Sequence, residues 1–291
     1  MSVLLCDSNC ELWYERAEEL RLDYISMPYY LEGEVCYYDL GKNTDFRKFY
    51  DAVRAGAIPK TQALNPEEYK EILTPYFERG EDVLYVSFSH KMSGTFQSLQ
   101  IALNELKERY PDRKCTVFNT NSISAGAALQ VEQAARLKSQ GATDEEIVAY
   151  LTEFTNQTTL CFVVDDLMHL KRGGRLSSAA AVAGTILALK PILTTDAEGG
   201  LCVLTKISGK KKALTTLANK VIDELTDETC TVFIIDADAK EDGDRVRDLI
   251  LQKRPNAKIF RQPIGPVVGS HCGPGTVGVA YASASRPIPL K

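Results

Sequence analysis

The fold is decided by two similar units, the first of which begins with Asp82-Val83-Leu84-Tyr85-Val86-Ser87-Phe88-Ser89. This apolar run predicts a buried strand, and residues 95–109 after it have the pattern of a helix. The second unit repeats this order, with Cys115-Thr116-Val117-Phe118-Asn119 as a strand and residues 124–139 as a helix. Strands that alternate with helices predict a parallel sheet covered by helices.

The residues before these units extend the same pattern. Residues 1–7 are an apolar run that ends at Asp7-Ser8, which predicts a strand followed by a turn. Residues 11–22 and 45–55 have helical patterns. Asn65-Pro66-Glu67-Glu68 is a helix start, with Asn as N-cap, Pro in the first helical position and acids in the first turn. Residues 1–158 are therefore predicted to form an α/β domain.

After residue 158 the rhythm changes. A hairpin is predicted around Asp196-Ala197-Glu198-Gly199-Gly200. The other predicted elements are a strand at 159–164, an Ala-rich helix at 179–190 that Lys190-Pro191 ends, a helix at 210–225, a strand at 230–236, a helix at 242–253 and a strand at 257–262. Residues 159–291 are therefore predicted to be an α+β domain. The alternative for its last strand is a place in the first domain.

Composition excludes several classes of protein. The 291 residues are 44% hydrophobic and 25% charged, which is typical of a globular protein. A net charge of −5 argues against a general nucleic-acid-binding role. No apolar run approaches the roughly 20 residues that span a bilayer, and no signal peptide is visible, so we expect a cytoplasmic protein. The eight cysteines form no Cys-x-x-Cys pair, and neither a metal nor a cofactor is predicted.

A Gly- and Pro-rich segment near the end of the chain, residues 264–275, contains His271. Such a segment is a poor helix and a poor strand, so we expect a rigid loop that holds the histidine and several backbone N–H groups in place. The alternative is a tight connection with a solvent-facing histidine. A nucleophilic role for the adjacent Cys272 has no base-orienting partner visible in the sequence.

A second candidate site is Ser89-His90-Lys91-Met92-Ser93-Gly94-Thr95, which joins a strand to a helix. Free N–H groups at a helix start attract an anion, and Ser93 and Thr95 add hydroxyl groups. In an open α/β sheet the ligand crevice lies at the carboxyl ends of the strands. The segment therefore predicts a carboxylate or phosphate site, unless Ser93 or Thr95 only caps the helix.

A third segment, Leu170-Lys171-Arg172-Gly173-Gly174-Arg175-Leu176, makes a tight turn that carries cations; the alternative is a solvated basic turn. Motifs for other chemistries are missing. Ser93 does not lie in G-x-S-x-G, no P-loop occurs, and Gly273–Gly278 fits G-x-G-x-x-G without a convincing ribose-binding acid after it.

Taken in order, these segments resemble the DegV family. The matching pieces are Asp7-Ser8, Thr61 ahead of Pro66-Glu67-Glu68, Ser93-Gly94-Thr95-Phe96-Gln97-Ser98, the 170–176 segment, Lys190-Pro191-Ile192-Leu193 and residues 264–271. They cover nearly the whole chain. The chain departs from the family after Thr61, where Gln62-Ala63-Leu64-Asn65 replaces the usual Ser-Gln-Pro-Ser.

The resemblance implies a fatty-acid-binding protein with an α/β first domain, a second domain on an antiparallel sheet and the ligand between them. Members present the fatty acid to a separate cytosolic kinase, which phosphorylates the carboxylate to an acyl phosphate for phospholipid metabolism. The family's carboxylate-binding positions correspond to Thr61, Ser93 with Gly94 and Thr95, and His271. Arg175 and Arg172 are the candidates for phosphoryl transfer or kinase docking. Transient contact with a membrane surface is also expected.

The acyl tail is expected to pass along the Ala-rich helix, where small residues leave room for an alkyl chain. Its candidate lining residues are Ala183, Ile186 and Leu187, and the alternative is tight packing of this helix against the sheet. The competing function is a stand-alone hydrolase or transferase acting on a small carboxylate or phosphate ester, with Ser93 or Cys272 as nucleophile. The lack of a nucleophile–base motif favours the carrier.

Overall fold

The computed structural model describes residues 2–176 and 189–290. Its strands are β1 (Val3–Asp7), β2 (Asp23–Ile25), β3 (Met27–Leu31), β4 (Glu34–Tyr38), β5 (Lys60–Thr61), β6 (Val83–Ser87), β7 (Cys115–Asn119), β8 (Thr158–Val163), β9 (Leu189–Thr195), β10 (Leu201–Ser208), β11 (Val232–Asp236), β12 (Ile259–Pro263) and β13 (Val277–Ala282). Its helices are α1 (Tyr14–Glu19), α2 (Phe46–Arg54), α3 (Pro66–Glu78), α4 (Thr95–Arg109), α5 (Ala125–Ser139), α6 (Asp144–Thr155), α7 (Met168–Arg172), α8 (Lys210–Glu224), α9 (Lys240–Lys253) and α10 (Pro266–Cys272).

The strand–helix units at 82–139 form the parallel sheet that their sequence predicts. Its strand order is β2-β1-β6-β7, and all neighbouring strands are parallel. Every residue of β6 is buried, as the continuous apolar run requires. The carboxyl ends of β1 and β6 lie side by side, so the segments that follow Asp7 and Ser87 meet at one edge of the sheet.

A small antiparallel sheet with the order β4-β3-β5 was not predicted from the sequence. Its strands are short, and β3 contains Pro28, which hides the strand pattern. The β3–β4 hairpin turns at Glu32 and Gly33, which both have positive φ angles, as two-residue hairpin turns require. β5 pairs with β3 through Tyr29 and Thr61, and this pairing places Thr61.

The second sheet has six strands in the order β10-β9-β8-β13-β11-β12. The expected antiparallel pairing holds for every neighbouring pair except β11 and β12, which are parallel. They are joined by α9, and a helical crossover connects parallel neighbours. β13 pairs with β8 and β11 within this sheet, between strands that lie far apart along the chain.

Two of the predicted helices, at 179–190 and 11–22, have different bounds in the structure. Residues 189 and 190 were predicted to end the Ala-rich helix, but they begin β9, where they pair with Ser208 and Ile207 of β10. The rest of that helix, 179–188, lies outside the described residues. The helix predicted at 11–22 is shorter, because a 3-10 turn occupies Ser8–Cys10 and Glu11 follows it in the left-handed region.

The expected rigid loop at 264–275 is also wrong, because its centre is the helix α10. Gly265 is its N-cap, Pro266 occupies the first turn where no N–H is needed, and Gly273 ends it with a φ of 74°. Gly269 is required by close packing, since a Cβ there would lie 2.6 Å from the Tyr50 hydroxyl oxygen. His271 therefore lies in the last turn of a short helix.

The core is divided by the six-stranded sheet. One hydrophobic cluster joins the parallel sheet to one face of the six-stranded sheet, and the other lies between its opposite face and the helices α8 and α9. α5 contacts strands of both sheets, and its residues 125–135 are all buried. Small side chains such as Ala127 and Ala128 permit this close packing. Within the described ranges, no helix is both long and apolar enough to cross a membrane.

Candidate functional site

A cavity of about 160 Å³ lies between the two larger sheets. Most of its described wall is apolar and comes from both halves of the chain: Met27, Phe88, Met92, Ile123, Leu160, Phe162, Leu170, Leu201, Ile235, Ile264, Val267 and Val268. A cavity with such a wall accommodates an alkyl chain.

Four polar side chains are grouped in the wall of this cavity, and we call them the polar cluster: Thr61, Ser93, Arg175 and His271. They come from β5, the segment before α4, the turn after α7 and α10. The Thr61 hydroxyl oxygen lies 2.8 Å from Nε2 of His271. Tertiary packing therefore brings together residues that the sequence separates by up to 210 positions.

His271 is neutral at physiological pH. Burial lowers its pKa to about 4, and the nearby Arg175 guanidinium adds to the shift. Its Nδ1 atom is buried without a hydrogen-bond partner and faces Gly173, where a Cβ would lie 2.2 Å from that nitrogen. When Nε2 carries the ring proton, it donates to Thr61, and the Thr61 hydroxyl is then free to donate into the cavity.

Arg175 supplies the positive charge of the polar cluster. Its Nε donates to the backbone oxygen of Met92 (3.1 Å) and its NH1 to that of Gly173 (2.6 Å). The guanidinium is half-buried and stays charged, although burial lowers its pKa. Across residues 2–176 and 189–290, no carboxylate is within ion-pair distance of it. A ligand with an anionic group would complement this charge.

Ser93 and Gly94 reach the cavity at the start of α4, as the anion-site prediction requires. The Ser93 hydroxyl lies 2.9 Å from that of Thr95, and it also accepts a hydrogen bond from the Thr95 backbone N–H. The N-cap of α4 is Gly94, so Ser93 does not cap the helix and is instead a part of the cavity wall. Thr95 is buried behind Ser93 and does not line the cavity.

The other predicted site residues lie elsewhere. Arg172 is exposed on α7, outside the cavity wall, and its guanidinium is 3.3 Å from Nδ1 of His169. The three candidates for the tail, Ala183, Ile186 and Leu187, lie outside the described residues. Asn9 and Met27 also line the cavity, although neither was predicted from the sequence. Asn9 follows a strand end, the position at which α/β sheets bind ligands, whereas Met27 gave no signal.

The departure from the family pattern after Thr61 has local consequences. Gln62 and Ala63 line the cavity, and the Gln62 side chain accepts a hydrogen bond of 2.6 Å from the Tyr30 hydroxyl. Leu64 is buried. Asn65 caps α3 in a reciprocal pair with Glu68, so it has a structural role.

Cys272 also lines the cavity, but its thiol is a poor nucleophile. It is buried, and burial raises its pKa to about 12. The ring of His271 contacts Thr61 rather than this thiol or Ser93. Among the described residues, neither Cys272 nor Ser93 is hydrogen-bonded to a base.

The matching family model is described as an uncharacterised protein of the DegV family, and it matches residues 2–284. The chain belongs to the DegV family. A DegV domain-containing protein from Clostridium perfringens is 33% identical over 285 residues, which are 98% of each chain. The DegV fold agrees with the paired sheets described above.

Two solved structures of DegV proteins share this fold. A DegV lipid-binding protein from Thermotoga maritima superposes with a TM-score of 0.83 at 26% identity, over 98% of this chain and 100% of that one. A DegV family protein from Thermus thermophilus, described by its fatty acid binding, also has a TM-score of 0.83, at 27% identity over 96% and 99% of the two chains.

Proposed function

We propose that this DegV protein binds a long-chain fatty acid in the cavity and holds its carboxylate at the polar cluster. The observation that carries the proposal is the combination of an apolar cavity with a half-buried Arg175 that has no carboxylate partner among the described residues. The fatty-acid binding described for related DegV structures supports it. We place the ligand between two domains, residues 1–158 and 159–291.

The energetics divide between the two ends of the ligand. Each buried methylene contributes about 0.8 kcal/mol, so a long tail supplies most of the affinity. A buried carboxylate is unfavourable unless it is hydrogen-bonded, and each bond to it returns roughly 1.5–3 kcal/mol. Thr61 and Ser93 provide such bonds, and Arg175 provides the opposite charge. The tail therefore sets affinity, and the polar cluster sets orientation.

We further propose that the protein has no catalytic activity of its own and presents the carboxylate to a separate cytosolic kinase that forms the acyl phosphate. In this reaction a cation at the site offsets the negative charge that gathers as the phosphoryl group approaches. Arg175 lies in the cavity wall and suits this role, whereas the exposed Arg172 suits docking of the kinase. Uptake and release of the lipid involve transient contact with a membrane surface, and no other cofactor is required.

The alternative function, a hydrolase or transferase with Ser93 or Cys272 as nucleophile, has less support. The Cys272 thiol is protonated at physiological pH, and the Ser93 hydroxyl pairs with another hydroxyl, that of Thr95. Neither side chain has a base to activate it.

Native mass spectrometry of the purified protein tests the proposal. We expect an adduct in the fatty-acid mass range that organic extraction removes, and an increase in Tm when a long-chain fatty acid is added back to the delipidated protein. Ester hydrolysis should stay at background throughout. Absence of both the adduct and the Tm increase would contradict fatty-acid binding.

A further inference from the structure

A buried carboxylate next to the cavity has no part in the proposed function. Glu11 is 1% exposed, and within the described ranges no basic side chain pairs with it. Its two carboxylate oxygens accept from groups in different parts of the fold: the Ser124 hydroxyl, and the backbone N–H of Gly265 at 2.6 Å. Ser124 lines the cavity, and Gly265 is the N-cap of α10, the helix that carries His271.

The backbone at this contact is strained on both sides. Glu11 has φ and ψ of 54° and 24°, and Ser124 has 52° and −134°, conformations that non-glycine residues seldom adopt. Such strain persists only where the surroundings enforce it, and it concentrates at functional sites. The segment is also held through Gln262, whose side chain donates to the Glu11 carbonyl and accepts from the Trp13 N–H.

We propose that Glu11 is a positioning residue: its buried carboxylate fixes the start of the His271 helix against the cavity wall at Ser124. The fatty acid meets both ends of this connection, since Ser124 and His271 both line the cavity. The inference relies on the proposed function only for the identity of the ligand.

The ionisation of Glu11 provides a readout that a merely structural side chain lacks. Burial raises its pKa to about 8, although the bonds from Ser124 and Gly265 oppose the shift. When neutral, Glu11 still accepts from Gly265 and donates its own proton to the Ser124 oxygen. When ionised, it adds a negative charge to the interior that must also accommodate the ligand carboxylate. Fatty-acid affinity should therefore fall as the pH rises through about 8.

Other groups near Glu11 do not titrate in this range. The titratable groups that face it are Tyr38 of β4, Tyr50 of α2 and Cys272 of α10. Burial raises the pKa of all three, that of Cys272 to about 12. His271 titrates far below, at about 4, and Asp7 at about 6. The part of the change between pH 7 and pH 9.5 that Glu11→Gln removes therefore reports Glu11.

The experiment compares the wild type with Glu11→Gln, Glu11→Ala and the control Glu132→Gln, another buried carboxylate, which pairs with Arg16 instead. The affinity for oleate is measured at pH 7 and pH 9.5 by isothermal titration calorimetry. The oleate affinity of the wild type and of Glu132→Gln should be about threefold or more weaker at the higher pH. Glu11→Gln keeps both hydrogen bonds without the charge. Its oleate affinity should match that of the wild type at pH 7 and should fall less than that of the wild type at pH 9.5. Because all forms face the same oleate, changes in the lipid itself cancel.

A second measurement needs no ligand. Hydrogen exchange of residues 266–272 in the delipidated protein should be faster in Glu11→Ala than in the wild type or Glu11→Gln. If Glu11→Gln follows the wild-type pH profile, or if Glu11→Ala leaves exchange unchanged, the proposal is overturned. Faster exchange in Glu11→Ala without oleate binding by any form would support the positioning role and contradict the proposed function instead.

Discussion

At the scale of single residues, the orientation of the side chains in the polar cluster is set by the groups next to them. The hydroxyl of Thr61 gains its orientation from a neutral histidine, and Ser93 gains its position from the start of a helix. Neither residue is charged, so the carboxylate binding that we propose for them rests on hydrogen bonds made out of contact with bulk water.

Thr61→Ala and Ser93→Ala should each weaken fatty-acid binding by about 1–3 kcal/mol, or about 5–150-fold, because the buried anion loses a donor. A fatty alcohol of the same length should be much less sensitive, since it carries no charge. Titrations with both ligands test this, with Thr152→Ala as the control, an exposed threonine of α6. Equal losses for acid and alcohol would show that these hydroxyls do not hold the carboxylate.

The buried Glu11 should also make stability depend on pH. Its pKa of about 8 in the folded protein exceeds the ordinary value of 4.5, so its stabilising effect is complete below about pH 4.5 and is lost as the pH rises through about 8. Between pH 6 and pH 8 the free energy of unfolding should fall by about 2 kcal/mol from this group. Asp7, with a pKa of about 6, acts mainly at lower pH.

Glu11→Gln should remove that fall and be more stable than the wild type at pH 8, because it eliminates an unpaired buried charge. Urea unfolding of both proteins at the two pH values measures the difference. A wild-type stability that is as flat as that of the variant would mean that Glu11 is not protonated near neutral pH.

At the scale of elements, the short helices α7 and α10 pack closely at the cavity because a glycine lies at their contact. The backbone of α7 ends at Gly173, directly against the ring of His271 on α10. Gly173 has a φ of −72°, which any residue adopts, so glycine is required here for space rather than for conformation. The Gly-Gly sequence therefore serves packing at Gly173 and a left-handed turn at Gly174.

Gly173→Ala should displace His271 from Thr61 and reduce fatty-acid affinity by about tenfold or more, because the added Cβ would lie 2.2 Å from Nδ1. Lys171→Ala, an exposed change on the same helix, is the matched control and should bind normally. Affinity is measured by titration, and the histidine environment by the imidazole NMR signals. Unchanged signals in the Gly173 variant would contradict this packing.

At the scale of the whole molecule, the two larger sheets share one hydrophobic cluster and enclose the cavity between them. Under the proposed function, a buried lipid must still expose its carboxylate to a separate kinase. We propose that the kinase approaches the surface around the polar cluster and contacts the exposed Arg172 of α7.

Arg172→Ala should leave the fatty-acid Kd within about twofold and raise the KM of the partner kinase for the loaded protein, because it alters an exposed contact rather than the cavity. Arg109→Ala, at the far end of α4, controls for loss of a surface cation. Binding and acyl-phosphate formation are measured on the same preparations. A parallel fall of both quantities would assign Arg172 to the lipid site instead.

Elements whose signals are local follow from the amino-acid sequence alone. The strand at 83–87, the helix cap at Asn65 and the hairpin at 196–200 all form as predicted, since burial and capping depend on neighbouring residues. The order of the family segments likewise predicted the DegV fold. The roles assigned to Thr61, Ser93, Arg175 and His271 stay predictions.

The contacts between these elements depend instead on long-range packing. The helix at 266–272 forms against its local composition because packing on Tyr50 and Tyr38 favours it, and β3, β4 and β5 are strands only because they pair with one another. The contact of Glu11 with Gly265 joins residues 254 positions apart, and the state of charge of His271 follows from its burial. Such long-range contacts and desolvation leave no pattern along the chain, since they depend on residues that the fold alone brings together.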